Sequence, residues 1–339
     1  MLLSEFDFPF DPSLIADRPV EPRDQARLLV LSHAGGACSH RHVSDLPSLL
    51  SSGDLLVVND TKVLAARLVG RKRPGGGKVD LVLVKELVQD RWEVLLKGKV
   101  APGQIMDFEG GVSASVVQQG PSGMVVQFTS GRPIREAIRE IGRMPLPPYI
   151  KRSPVDEDRH WYQTVFARVE GAVAAPTASL HFTEGLLASL RDRGIKIATV
   201  TLHVGPGTFR PVQAKRIEEH VMASERISVS NETAEAVRQT KADGGRVVAV
   251  GTTAVRTLET AADEKGNVQP TNGETGLFIV PGYRFRVVDV LMTNFHLPRT
   301  TLLMLVSAFA GRERLQEAYQ EALKERYRFY SYGDAMLVL

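Results

Sequence analysis

The chain has 339 residues, with 42 Lys+Arg against 39 Asp+Glu, a formal net charge of +3 and 43% apolar residues. Those fractions exclude a disordered or collagen-like chain, and at roughly 150 residues per domain the length suggests two. The lone Cys38 excludes an internal disulfide and fits a reducing compartment, so a cytoplasmic location is expected.

Met1–Phe10 carries acids, no base and an early Pro9, which is unlike a signal peptide. Arg27–Leu31 reads as a strand, Asp45–Leu50 as a short helix and Asp54–Val58 as a buried strand. His40-Arg41-His42 reads most simply as a flexible Gly/Ser/His segment. The texture then changes. Val79–Val84, Arg91–Leu96, Val112–Val117 and Met124–Phe128 are short apolar runs separated by Gly75-Gly76-Gly77, Pro102-Gly103, Gly110-Gly111 and Gly120-Pro121. Strands spaced this way, with no helix between them, suggest a small β-barrel or sandwich. Ile134–Ile141 reads as a helix. Arg143–Pro154, rich in proline, reads as an extended return to a larger domain.

From about residue 163 the elements alternate. Helices are expected at Glu184–Arg193, Ser230–Ala242, Thr252–Ala262, Thr300–Phe309 and Arg312–Arg326. Strands are expected at Lys196–Val204, Arg246–Val250, Leu277–Val280 and Phe285–Leu291. The stretch Thr300–Phe309 is about half the length needed to cross a bilayer, so no membrane association is expected. Alternation points to an α/β fold class: a layered α/β main domain (1–62 and 152–339) with an inserted small β-barrel domain (63–151). The barrel is an insertion because the strand before it needs the later half of the chain as its sheet.

Several strand ends carry polar residues. Leu202–Val212 (LHVGPGTFRPV) ends a strand in a loop with Gly205 and Gly207, which suits close approach of a ligand or simply a tight turn. Pro211 and the missing third glycine argue against a dinucleotide-binding turn. Asn59-Asp60-Thr61, Gly251-Thr252-Thr253 and Asn294-Phe295-His296 also follow apolar runs, where open α/β sheets bind ligands. Thr252 and Thr253 read equally as helix caps. Asp60 is suited to accept N–H bonds from a guanine-like edge, or to cap a turn. His181, His203, His220 and His296 each lie near a strand end or turn; each is a catalyst or a structural histidine. No metal-ligand cluster is evident, so no metal is expected. Arg71, Lys72, Arg73 and Lys78 fall on a Gly-rich loop, either a solvated one or an RNA-tracking patch. Tyr327–Tyr332 (YRFYSY) suits base stacking or a buried edge strand.

Taken together, AAPTASLHFT (174–183), TLHVGPGTFRPV (201–212), VAVGTTAVRTL (248–258), TNFHLPRTT (293–301) and YRFYSYGDAM (327–336) closely resemble the S-adenosylmethionine:tRNA ribosyltransferase-isomerase family of queuosine biosynthesis. DLLVVNDTKVLAAR (54–67) and PPYI…YQTVFA (147–150, 162–167) match as well, so the resemblance runs from Phe6 to the C-terminus. The sequence departs from the family's pattern at Ser179, at Ala223 and at His160-Trp161. The resemblance implies an α/β domain with an inserted barrel. It also implies S-adenosyl-L-methionine as ribosyl donor and a tRNA bearing 7-aminomethyl-7-deazaguanine as acceptor. The products would be epoxyqueuosine-tRNA, adenine and methionine. A conventional RNA methyltransferase and a non-catalytic tRNA-binding protein are the rival readings.

Set against that chemistry, His203, His220, Glu225 and Asp60 are expected to be catalytic. Thr177, His181, Phe182, Gly205, Gly207, Thr208, Phe209, Gly251, Thr252, Thr253, Arg256, Asn294 and His296 are expected to bind the cosubstrate. Asn59, Tyr332 and Asp334 are expected to recognise the acceptor base, and Arg71, Lys72, Arg73 and Lys78 to bind tRNA. The expected working unit is a monomer.

Overall fold

The computed structural model describes residues 1–32, 35–120, 123–205 and 212–339. A nine-stranded mixed sheet organises the larger part. In spatial order its strands are Thr271–Thr275, Glu225–Val229, Lys196–Leu202, Leu55–Asn59, Val247–Val250, Val290–Asn294, Ala335–Val338, Arg27–Leu31 and Ser39–His42. The four from Lys196–Leu202 to Val290–Asn294 run parallel. Strands of this kind are covered on both faces and therefore read as continuous apolar runs. The alternation is visible residue by residue: Leu55, Val57, Val247 and Ala249 join one apolar cluster, while Leu56, Val58, Val248 and Val250 join the other.

The first cluster is closed by the helices Asn231–Ala242, Thr252–Ala261, Thr301–Ala310 and Arg312–Lys324. The second is closed by Leu46–Leu49 and Glu184–Asp192. Side-chain oxygens of Thr183, Ser230 and Thr300 accept backbone N–H bonds and start their helices. Among the described residues no helix is long and apolar enough to cross a membrane.

The chain leaves the sheet after Asn59. It builds a closed antiparallel barrel in the order Met124–Thr129, Arg91–Lys97, Lys78–Val88, Arg67–Arg73, Ile105–Phe108 and Ser113–Gln119. Leu68, Leu81, Val94, Met106 and Phe128 fill it, and the helix Ile134–Ile141 packs on through Ile134, Ala137 and Ile138. The outgoing strand Thr61–Val63 and the returning strand Val169–Ala172 pair in parallel, forming a neck. Leu55–Asn59 lies between two strands of the later half, so the barrel is inserted into the α/β fold.

Four local expectations change. Leu277–Val280 is not a strand, and Phe285–Leu291 is extended into the sheet only at Val290 and Leu291; the sheet uses Thr271–Thr275 and Val290–Asn294. The buried Glu259 carboxylate accepts the N–H groups of Arg286, Val287 and Val288, which removes those donors from any ladder. Arg71, Lys72 and Arg73 lie on the Arg67–Arg73 strand and Lys78 opens the next, so the basic segment is a hairpin and not a loop. Ser39–His42 is a strand paired with Arg27–Leu31, with His40 Nδ1 2.8 Å from Tyr327 Oη. Finally, Tyr327–Tyr332 is buried coil, and the strand that follows it, Ala335–Val338, was not anticipated.

Candidate active site

Parallel strands bring their C-terminal ends to one edge of a sheet, where ligands of open α/β folds bind. Here that edge gathers His203–Gly205, Asn59–Thr61, Gly251–Thr253 and Asn294–His296. Asp334 joins them because Ala335–Val338 runs antiparallel to Val290–Asn294 and begins there.

Asn59 stitches the first two strand ends together. Its amide donates to Leu202 O at 2.9 Å and accepts from Leu202 N and Thr61 N, both at 3.1 Å. This leaves Asp60 at the wall of a cavity of about 680 Å³ that is also lined by Arg168, Thr199, Thr201, His203 and Arg226. Thr201 Oγ1 donates to Asp60 Oδ1 at 2.6 Å, and Arg168 Nη2 to Oδ2 at 2.8 Å. Arg168 arrives through the neck, where its own N–H and that of Val169 donate to Asp60 O. His203 Nδ1 lies 2.8 Å from Thr61 Oγ1. Burial, and then the Arg226 cation, hold the His203 imidazole below its ordinary range, with Asp60 acting in the other direction. Its ring lies flat against Gly171: a Cβ there would sit 2.7 Å from ring atoms, so only glycine fits.

Glu225 lies beside this group. Its Oε1 accepts from Gly205 N at 2.8 Å and its Oε2 from Arg256 Nη1, both side chains being 4% exposed. Arg256 also donates to Leu277 O, and the neighbouring Phe278 ring is 5.2 Å from that of His220. Partial burial lowers the His220 pKa. The turn into the Thr252–Ala261 helix is made by Gly251 at φ 86°, a conformation suited to glycine. Neither Thr252 nor Thr253 caps that helix. Arg256 Nη2, Thr253 Oγ1 and Ser179 Oγ are buried polar atoms with no hydrogen-bond partner among the described residues. Gly207, Thr208 and Phe209 lie outside the described residues.

The other end of the edge is sealed. Thr177 Oγ1 donates to Asn294 Oδ1 at 3.0 Å, and Asn294 Nδ2 meets His181 Nε2 at 3.1 Å and Tyr330 O at 3.2 Å. His296 Nε2 lies 2.9 Å from Thr293 Oγ1, and its N–H donates to Tyr319 Oη. Burial, with the Arg328 and Arg23 cations, pushes the His181 pKa down to about 3, and burial alone does the same for His296. Phe182 is fully buried against Phe166. Asp334 accepts the backbone N–H groups of Arg27 and Arg328, and Tyr332 Oη donates to Asp158. These groups, like Asn59, are engaged within the protein.

On the barrel hairpin, Arg73 pairs with Asp107, Arg71 donates to Gly76 O and Lys72 to Lys99 O. The expected site residues thus divide among the cavity, the Glu225–Arg256 cluster, the sealed end and a separate hairpin. Sequence reading missed Thr61, Arg168, Thr201 and Arg226 in the site. Thr61 and Thr201 sat in segments already singled out. Arg168 and Arg226 carry no local signal, because only the neck and the antiparallel pairing bring them in. Among the described residues no group of three or more His, Cys, Asp or Glu is placed to hold a metal ion.

Residues 3–338 match the model of a family described as queuosine biosynthesis protein. A relative from Moorella thermoacetica, an S-adenosylmethionine:tRNA ribosyltransferase-isomerase, is 52% identical with both chains fully covered. A relative of the same name from Parvibaculum lavamentivorans is 51% identical over all of this chain and 99% of its own. The crystal structure of the S-adenosylmethionine tRNA ribosyltransferase from Thermotoga maritima is 38% identical. It covers 99% of this chain and 100% of that one, with a TM-score of 0.57.

Proposed function

Because the chain belongs to the queuosine biosynthesis family, we propose that it is an S-adenosylmethionine:tRNA ribosyltransferase-isomerase. It moves the ribosyl group of S-adenosyl-L-methionine onto 7-aminomethyl-7-deazaguanine at the wobble position of a tRNA, giving epoxyqueuosine-tRNA, adenine and methionine. The observation that carries this reading is the fixed imidazole of His203 in the wall of the 680 Å³ cavity, with the Asp60 carboxylate in the same wall. A cavity of that size lies within the usual range for a cosubstrate-sized ligand.

The sulfonium of the cosubstrate, when bound, acidifies the neighbouring 5′ carbon and makes methionine a leaving group. The chain's part is to take that proton. In the tautomer whose Nδ1–H donates to Thr61 Oγ1, His203 Nε2 keeps its lone pair, and the lowered pKa favours the neutral ring that a base requires. Asp60 keeps unused lone pairs beside those taken by Thr201 and Arg168, and these would accept N–H groups of the deazaguanine edge. Glu225, paired with Arg256, holds the Gly205 N–H at the start of the expected cosubstrate segment. His181, Asn294 and His296 brace the strand end behind it, and Asn59, Asp334 and Tyr332 position their neighbours. Arg71, Lys72, Arg73 and Lys78 are an outlying tRNA contact. We propose that the working unit is a monomer acting in the cytoplasm.

The test is a product assay with the protein, S-adenosyl-L-methionine and tRNA bearing the aminomethyl-deazaguanine. Free adenine together with a heavier wobble nucleoside is expected. S-adenosylhomocysteine with methylated RNA, or tRNA binding without consumption of the cosubstrate, would overturn the reading.

A further inference from the structure

A second cavity, of about 540 Å³, lies between the barrel and the neck. Its wall includes Lys85, Leu87 and Val88 of the Lys78–Val88 strand, Arg135 and Arg139 of the barrel helix, Gly171 and Arg226. Arg226 also lines the 680 Å³ cavity, so its side chain stands where the two meet. Gly171, which packs closely against the His203 ring, also lines the second cavity.

The charges around this cavity are uneven. Arg139 is paired with Glu170, Arg135 with Glu86 and Arg168 with Asp60. Arg226 and Lys85 are exposed, and neither has a carboxylate partner among the described residues. Leu87 and Val88 are 44% and 60% exposed, which is unusual for large apolar side chains beside such a cationic wall. An unpaired guanidinium, flanked by further cations and an exposed apolar surface, fits a nucleotide: the phosphate meets the cations and the base lies on the apolar wall.

We propose that the barrel-side cavity is a subsite for the tRNA nucleotide adjacent to the one being modified, with Arg226 gripping the phosphate that joins the two. The subsite rests on the reading of the chain as a tRNA-modifying enzyme and adds where the RNA lies. The barrel then supplies a wall of the substrate cleft, and RNA bound there carries the target base to His203 and Asp60.

The experiment measures binding of tRNA bearing 7-aminomethyl-7-deazaguanine between 50 and 200 mM salt, beside the KM for S-adenosyl-L-methionine. Arg226→Ala is expected to weaken tRNA binding about tenfold at low salt. It should also reduce the slope of log affinity against log salt by about one. Arg226→Lys should retain the slope, since a lysine still meets a phosphate as a point charge. Leu87→Glu, which puts a negative charge on the apolar wall, should also weaken tRNA binding about tenfold without raising the KM for the cosubstrate. Arg238→Ala, on the exposed face of the Asn231–Ala242 helix, serves as the reference and should change neither quantity.

Wild-type slope in Arg226→Ala would overturn the proposal. So would a raised KM for S-adenosyl-L-methionine with unchanged tRNA affinity, since the anion would then be the cosubstrate's carboxylate. Weakening by Arg226→Ala but not by Leu87→Glu would overturn the barrel-side placement. If the wild-type protein releases no adenine, the proposed reaction fails, yet the salt slopes still report whether this cleft holds RNA.

Discussion

Along one edge of the sheet, the ends of Lys196–Leu202 and Leu55–Asn59 border a cavity of about 680 Å³, whereas the ends of Val290–Asn294 and Ala335–Val338 are closed. Both halves carry histidine, carboxylate and amide side chains. In the closed half, His181, Asn294, His296 and Asp334 are buried and bonded to one another, to the Thr293 hydroxyl or to backbone. In the open half, His203 is held by Thr61 and Asp60 by Thr201 and Arg168, and both face a space. Buried polar groups are costly unless paired, and on the proposed reading the closed half is a brace. A polar group that is oriented but still has a free lone pair is what catalysis needs. On that reading the same residue types at equivalent strand ends serve two purposes, set by what covers them.

The sharpest way to break this distinction is His203→Ala. Adenine release should fall by roughly 10²–10⁴-fold, the usual loss on removing a general base, with the unfolding midpoint little changed. Unaltered turnover would take His203 out of the chemistry. Arg256→Met would leave the buried Glu225 carboxylate without its cation. That should cost about 3–5 kcal/mol of stability in urea unfolding, and much less when combined with Glu225→Gln. In the brace, Asn294→Ala removes the partner of Thr177, His181 and the Tyr330 carbonyl and should cost about 1–3 kcal/mol.

The closed half also predicts a pH dependence. His181 and His296 are held at about 3 in the folded protein, against an ordinary value of 6.5. Below 6.5 the unfolded chain binds protons that the folded chain refuses, so stability should drop steadily as pH falls from 6.5 towards 3. His296→Gln should flatten that slope in urea titrations; an unchanged slope would mean that the imidazole is not kept neutral. Smallest of all should be Arg73→Ala, which removes an exposed pair with Asp107 and should leave the unfolding midpoint where it was.

Much of the fold was readable in the sequence because its signals are local. Leu55–Asn59 and Val247–Val250 are apolar throughout, and glycine turns set the barrel strands apart. The failures have physical causes. Thr271–Thr275 (TNGET) is a polar edge strand with little apolar signal, and Phe285–Leu291 has a strand's composition but its residues 286–288 give their N–H groups to Glu259, which delays the strand to Val290. Motif reading placed His203, Asp60, Glu225 and Gly205 close together. It could not separate His203 from His296, because exposure to a cavity depends on which strands are neighbours. Arg226 was invisible for the same reason: it reaches the site only through its pairing across from His203.

The strand Ala335–Val338 lies between Val290–Asn294 and Arg27–Leu31, so the N-terminal strands join the sheet only through it. During synthesis on the ribosome the barrel, whose strands are close in sequence, can close early. Arg27–Leu31 and Leu55–Asn59 must wait with apolar faces uncovered, the first until residue 338 has emerged and the second until its neighbours from the later half have been made. Pairings this distant in sequence form slowly and leave sticky surface exposed meanwhile. A nascent chain halted before residue 335 should therefore carry a finished barrel beside an unfinished sheet, and it should need chaperone protection that the released protein does not.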